Sequence, residues 1–233
     1  MGQSMGIRRY GTGAKGCKSA VARWAAPYKN WAGRAKKTFG AIERDEVERL
    51  LFRDVASTLK VEKVVVVDES STHLGMTPLY ARAPRGQRAY AKTRRNYGKN
   101  VTLLSALRLG CTLAPMVIEG ATTTAVFEAY IEYVLAPVLE PDDVVILDNL
   151  AAHKSDKVRR LVQAKGAHLL FLPAYSPDLP PIEHAFSKVK QALRRAKAQT
   201  LDTLIDAIAH ALDAISWSDT LGWFTSCGFL NVA

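Results

Sequence analysis

Cysteine is scarce in this sequence. Cys17, Cys111 and Cys227 are odd in number and far apart. They form neither a disulfide framework nor a zinc-ligand spacing, so a reducing cytoplasm is the natural setting. Long apolar runs are missing as well. The longest candidate, Val101 to Ile118, is interrupted by Arg108, which argues against a membrane span. The first ten residues, MGQSMGIRRY, have no apolar stretch behind their charges, so no secretory signal is expected. Acidic residues are absent from two long windows. Met1 to Ile42 has none against nine Lys or Arg, and none lies between Glu69 and Glu119. No internal repeat is visible.

What is present is unevenly placed. The chain of 233 residues carries a net charge of +10, enough length for one domain with an appendage. The acid-free central window holds Arg82, Arg85, Arg88, Lys92, Arg94, Arg95, Lys99 and Arg108. A third basic cluster comprises Lys188, Lys190, Arg194, Arg195 and Lys197, and beyond it the chain has no Lys or Arg. Segregation of this kind suits a surface that meets a polyanion. A solvated basic face without a partner would have the same composition.

The pattern of elements predicts three regions: a basic tail or remnant over 1–40, a linker helix over 41–60, and an α/β domain over 61–233. In the linker, Val47, Leu50, Leu51, Val55 and Leu59 recur on one helical face. Val64-Val65-Val66-Val67 reads as a buried strand ending at Asp68, and Val144-Val145-Ile146-Leu147 as another ending at Asp148. Thr77 to Tyr90 reads as strand, turn, strand. Asn100 to Leu109 and Thr112 to Ile118 read as a hairpin about Gly110. Ala125 to Leu139 is expected to be helical, as is a segment from the cap Ser155 to about Lys165. His168 to Leu172 should be a short strand. Four prolines (Pro173, Pro177, Pro180, Pro181) stiffen the next loop. A helix with Ile182, Phe186, Val189 and Leu193 on one face follows, and two more helices close the chain. The order indicates an α/β layer with a mixed sheet.

Three acids occupy special places. Asp68 and Asp148 follow apolar strands, and Glu183 lies in the first turn of a helix behind Pro181. Neighbouring strands run about 4.8 Å apart, so two such strand ends would bring the carboxylates close. Crowded carboxylates repel one another unless a cation intervenes. Mg²⁺ or Mn²⁺ accepts oxygen ligands, and two such ions can clamp the attacking and leaving oxygens of a phosphoryl transfer. Taken singly, each acid also reads as an ordinary residue at an element end.

The segments DNLAAHKS (148–155) and LPAYSPDLPPIEHAFSKVK (172–190), with VVVVDESSTHLGMTPLYARAPRGQR (64–88), resemble the bacterial insertion-sequence branch of the mariner superfamily of DDE transposases. The 34 residues between Asp148 and Glu183 match its spacing. The resemblance runs from about Lys36 to Phe229. It implies an RNase H-like fold, a mixed five-stranded sheet flanked by helices, with Asp68, Asp148 and Glu183 as catalytic and metal-binding residues for two Mg²⁺ (or Mn²⁺) ions. Asn149 and His153 match the family's supporting residues in the loop after the second Asp. The implied activity is DNA strand cleavage and strand transfer in cut-and-paste transposition into TA targets. The implied partners are transposon-end and target DNA, with a homodimer assembled on DNA. Arg85, Arg88, Arg94, Arg95, Lys99, Lys190 and Arg194 are the expected DNA contacts. A bacterial, nucleoid-associated location would follow.

Two departures matter. Full-length relatives carry helix-turn-helix segments, and too little sequence precedes Lys36 for them, so a separate helix-turn-helix polypeptide or a truncated remnant that only binds DNA is the rival expectation. Pro180 stands where relatives have Asn, which would cap the helix of Glu183 with Pro181 as its first residue. A second rival is a nucleotide triphosphatase. GTGAKGCKS (11–19) is close to a phosphate-binding loop, but Cys17 separates the second glycine from its lysine and no buried strand precedes it.

Overall fold

The computed structural model describes residues 41–93, 96–150 and 153–230. The tail over 1–40, including the loop-like GTGAKGCKS, and the pair Arg94 and Arg95 lie outside them. Ala41–Ala233 groups as one compact unit.

Five strands form one mixed sheet in the order β3-β2-β1-β4-β5. They are β1 (Val64–Thr72), β2 (Val101–Arg108), β3 (Cys111–Glu119), β4 (Val144–Leu147) and β5 (His168–Phe171). β1, β2 and β3 pair antiparallel, whereas β4 runs parallel to both β1 and β5. Helices cover both faces: α1 (Glu46–Thr58), α2 (Thr124–Tyr130, continued by wider and tighter turns to Val138), α3 (Asp156–Gln163), α4 (Ile182–Ala196), α5 (Leu201–Asp213) and α6 (Trp217–Ser226). This is the RNase H-like arrangement.

The period-two alternation of a strand explains the two cores. Val64, Val66 and Ile146 join Phe52, Ile182, Phe186, Val189 and Phe224 on one face. Val65, Val67, Val145 and Leu147 join Phe127, Tyr130, Ile131 and Val158 on the other. Val64 to Val67 are all essentially inaccessible, so each contributes roughly 1.5–3 kcal/mol of burial. Such a strand reads as a continuous apolar run because both of its faces are covered.

Four sequence expectations change, the last of them at the start of α4. β1 does not end at Asp68; it continues to Thr72 because β2 pairs with it from Val66 to Thr72, with Asp68 opposite Ser105. Thr77 to Tyr90 forms no strand. Its residues from Pro78 onward are exposed, and no neighbouring strand offers a ladder. The helix α1 turns its apolar stripe outward: Val47, Leu50, Leu51 and Val55 are exposed, while Arg49, Phe52 and Ala56 are buried. The cause is an ion pair. Arg49 donates to both oxygens of Asp178 at 3.0 and 2.7 Å, which sets the inward face.

Caps follow the sequence elsewhere. Asp45 accepts from Val47 and Glu48 N–H at the start of α1, and Ser155 accepts from Val158 N–H at the start of α3. The helix α4 begins one residue later than expected. Pro181 is its cap and supplies no side-chain bond, so Glu183 is the second helical residue. Glu183 N–H donates to the Pro180 carbonyl at 3.3 Å, a tight first turn that needs no side-chain cap.

Candidate active site

Parallel pairing of β1 with β4 sets Val66 beside Ile146. Two residues further along each chain come Asp68 and Asp148. By alternation both belong to the face that packs against α4, the helix whose first turn carries Glu183. The strand order therefore delivers two acids and the helix start a third. Asp68, Asp148, Asn149 and Glu183 line a single cavity of about 410 Å³, closed on its other side by the loop from Leu172 to Pro180.

Local hydrogen bonds hold the aspartates and leave oxygens over. Oδ1 of Asp68 accepts from Glu69 N–H at 2.8 Å. Oδ1 of Asp148 accepts from Leu150 N–H at 3.1 Å and contacts Nδ1 of His153. Among the described residues, Oδ2 of each aspartate and the carboxylate of Glu183 receive no hydrogen bond. Burial pushes the Asp68 carboxyl up to about 7, and the nearby charges of Glu183, Glu69 and Asp148 add to that rise. The carboxylates thus feel one another. Among the described residues, however, no three His, Cys, Asp or Glu side chains converge into a ready ligand cage. An all-oxygen set with free lone pairs fits a hard divalent cation, which would draw the three acids inward against their mutual repulsion.

His153 lies outside the cavity. It is buried on the opposite face of the sheet, stacked on Phe127 with ring centroids 3.9 Å apart. Its Nε2 lies 3.3 Å from Oε2 of Glu69, within ion-pair range but off the hydrogen-bonding direction. Burial alone would lower its pKa, but the carboxylates of Asp148 and Glu69 outweigh burial and raise it to about 9. His153 therefore sits between two carboxylates, with its Nδ1 against Oδ1 of Asp148. Glu69 was missed as a site residue in the sequence. It follows Asp68 directly, so alternation sends it to the other face, and only the loop bearing His153 makes that face relevant.

The expected DNA contacts divide. Arg85, Arg88 and Lys99 are exposed on the segment between β1 and β2. Lys190 and Arg194 lie on α4, two and three turns after Glu183, and are half-buried. None of these five forms an ion pair among the described residues. None lines the acid cavity; Lys99 lines a second hollow with Glu69, Asn100 and Thr102. Lys188 is engaged within the fold, where its Nζ donates to the Ala214 carbonyl at 2.9 Å and pairs with Asp219.

The model of the DDE superfamily endonuclease family matches residues 63–205, which contain all three acids. This chain belongs to that family. A curated relative, the Tc1 transposase of Caenorhabditis elegans, is 37% identical over 71 residues, 30% of this chain and 26% of the relative. The chain thus aligns with about a quarter of that protein's length. Among solved structures, the Mos1 transposase paired-end complex with a left transposon end superposes with a TM-score of 0.68 at 16% identity, covering 90% of this chain and 67% of that one. The Mos1 mariner paired-end complex with Mn gives the same score, identity and coverage. At that identity the likeness supports the fold alone. No helix among the described residues is long and apolar enough to cross a membrane.

Proposed function

We propose that this DDE endonuclease domain is the catalytic part of a transposase, and that Asp68, Asp148 and Glu183 hold two Mg²⁺ or Mn²⁺ ions for DNA strand cleavage and strand transfer. The observation that carries the reading is the set of three acids from three elements, each with unengaged oxygens, around one cavity. The relatives agree in kind: one is a transposase by name, and the Mos1 complexes contain transposon-end DNA and Mn. Membership of the bacterial insertion-sequence branch rests on DNLAAHKS and LPAYSPDLPPIEHAFSKVK. Insertion at TA, assembly as a homodimer on DNA, recognition by a separate helix-turn-helix polypeptide and a nucleoid location belong to the same proposal.

When bound, the ions would activate a nucleophilic oxygen and offset charge on the leaving one, so that in-line displacement at phosphorus serves both cleavage and transfer. The chain's own residues do the rest. Glu69 N–H and Leu150 N–H each hold one oxygen of an aspartate and leave the other free for a cation. His153, clamped between Asp148 and Glu69, keeps Asp148 from rotating. Asn149 adds an amide to the cavity wall for a phosphate or sugar oxygen. Lys190 and Arg194, on the helix of Glu183, hold flanking phosphates without reading bases.

The test is nicking of supercoiled plasmid DNA in Mg²⁺ or Mn²⁺. The wild-type chain should nick, chelation should stop it, and Asp148→Asn should reduce it to background while remaining folded. Salt-sensitive DNA binding without any nicking would instead favour the remnant that binds but does not cut.

A further inference from the structure

Tyr175 is an exposed aromatic residue at the cavity of the three acids. Its backbone is in the left-handed region at φ 54, where a bulky residue is strained, and the residue is 58% exposed. The loop around it is pinned. Leu172 N–H donates to the Leu147 carbonyl at 2.8 Å, and Ser176 and Leu179 are buried. Asp178 is gripped by the fork of Arg49. A rigid loop therefore holds an aromatic side chain where it adds little to the core. Tyr175 lines the same cavity as Asp68, Asp148 and Glu183. Leu150, exposed by half, and Pro173 and Pro177 extend an apolar wall next to the carboxylates.

We propose that Tyr175 is a stacking platform for an unpaired nucleobase next to the phosphate held at the three acids. The inference rests on the transposase reading above. The acid half of the cavity suits a cation-bridged phosphate. The apolar, aromatic half suits the one flat apolar part of a nucleotide, its base. A strand end bent into such a cavity leaves the base stack, and a protein ring can replace the lost neighbour. Such contact tolerates any base, because every base has a π-face.

The experiment uses the full chain and a short duplex nicked at one phosphodiester, with 2-aminopurine beside the nick and Ca²⁺ as the cation. Binding by the wild type should change the 2-aminopurine fluorescence. Tyr175→Ala should abolish that change and weaken binding to the nicked duplex about 10-fold, the weight of one base–aromatic stack. Tyr175→Phe should behave as wild type. With an abasic site in place of the 2-aminopurine, wild type and Tyr175→Ala should bind equally. An unchanged fluorescence response in Tyr175→Ala overturns the proposal, as does equal weakening of that variant on abasic and intact duplexes. Cleavage of the same duplex by wild type in Mn²⁺ is scored separately. Cleavage together with an unaltered Tyr175→Ala response sinks the platform alone, whereas absence of both cleavage and DNA binding in wild type sinks the transposase reading.

Discussion

Removing either partner of the Arg49–Asp178 fork should destabilise the fold unequally. Arg49 is 1% exposed, and its guanidinium donates to both oxygens of Asp178, whose side chain is 48% exposed. In Arg49→Met the half-exposed carboxylate keeps Arg44 and Arg53 at 3.8 and 3.9 Å and reaches water, so the loss is that of charge-assisted hydrogen bonds, about 1.5–3 kcal/mol. In Asp178→Ala the orphan is a buried guanidinium. Its remaining neighbour is Glu46 at 3.5 Å, 67% exposed and therefore a weak partner. That variant should lose about 3–5 kcal/mol. Combining the two changes should recover stability relative to Asp178→Ala alone, because no buried charge is left unpaired. Urea denaturation at neutral pH measures all three. At about 2–4 °C per kcal/mol for a domain of this size, the melting temperatures should rank Arg49→Met above Asp178→Ala. The reasoning is refuted if Asp178→Ala costs no more than Arg49→Met, or if the double variant is the least stable.

Three further outcomes are expected. Gly110 has φ +96, and a Cβ there would lie 2.8 Å from the Trp217 ring, so Gly110→Ala should lose about 1–2 kcal/mol from backbone strain alone; an unchanged melting temperature would contradict this. The Lys188 ammonium, with help from Ser216, holds Asp219 at about 2, below its ordinary 3.8. Its stabilisation is present above pH about 4 and is lost as pH falls through 2, so wild type and Asp219→Asn should differ in stability at pH about 6 and converge near pH 2; a gap that widens on acidification would be the wrong sign. His153→Gln should raise the Mn²⁺ concentration needed for half-maximal nicking about 10–100-fold, as expected when a residue orienting a ligand is lost. An unchanged Mn²⁺ titration would reduce His153 to packing.

Much of the fold was legible because the relevant signals are local. Val64–Val67 and Val144–Leu147 are apolar without alternation, as strands covered on both faces must be. The hairpin around Gly110 and the cap at Ser155 depend on neighbours in sequence. The orientation of α1 was not legible. Its apolar stripe predicts one inward face, whereas the pairing of Arg49 with a residue 129 positions away selects another. The end of β1 was hidden for a similar reason, since polar Asp68, Glu69, Ser70 and Ser71 remain in a strand only because β2 pairs with them. Within the candidate site, the apolar runs before Asp68 and Asp148 and the resemblance to the mariner superfamily pointed to the acids that line one cavity, although Asp68 lies inside β1 and not at its end. The contact of Glu69 with His153 and the strained exposure of Tyr175 were not, because each depends on how a loop folds back over the sheet.

The central claim concerns ions at three carboxylates, and a crystal of the chain soaked in Mn²⁺ tests it most directly by anomalous scattering. The account predicts two peaks about 3.5–4 Å apart in the cavity between β1, β4 and the start of α4, with oxygens of Asp68, Asp148 and Glu183 all among the ligands. Ordered Mn²⁺ elsewhere with none in this cavity, or ions bound here without Glu183, would contradict it.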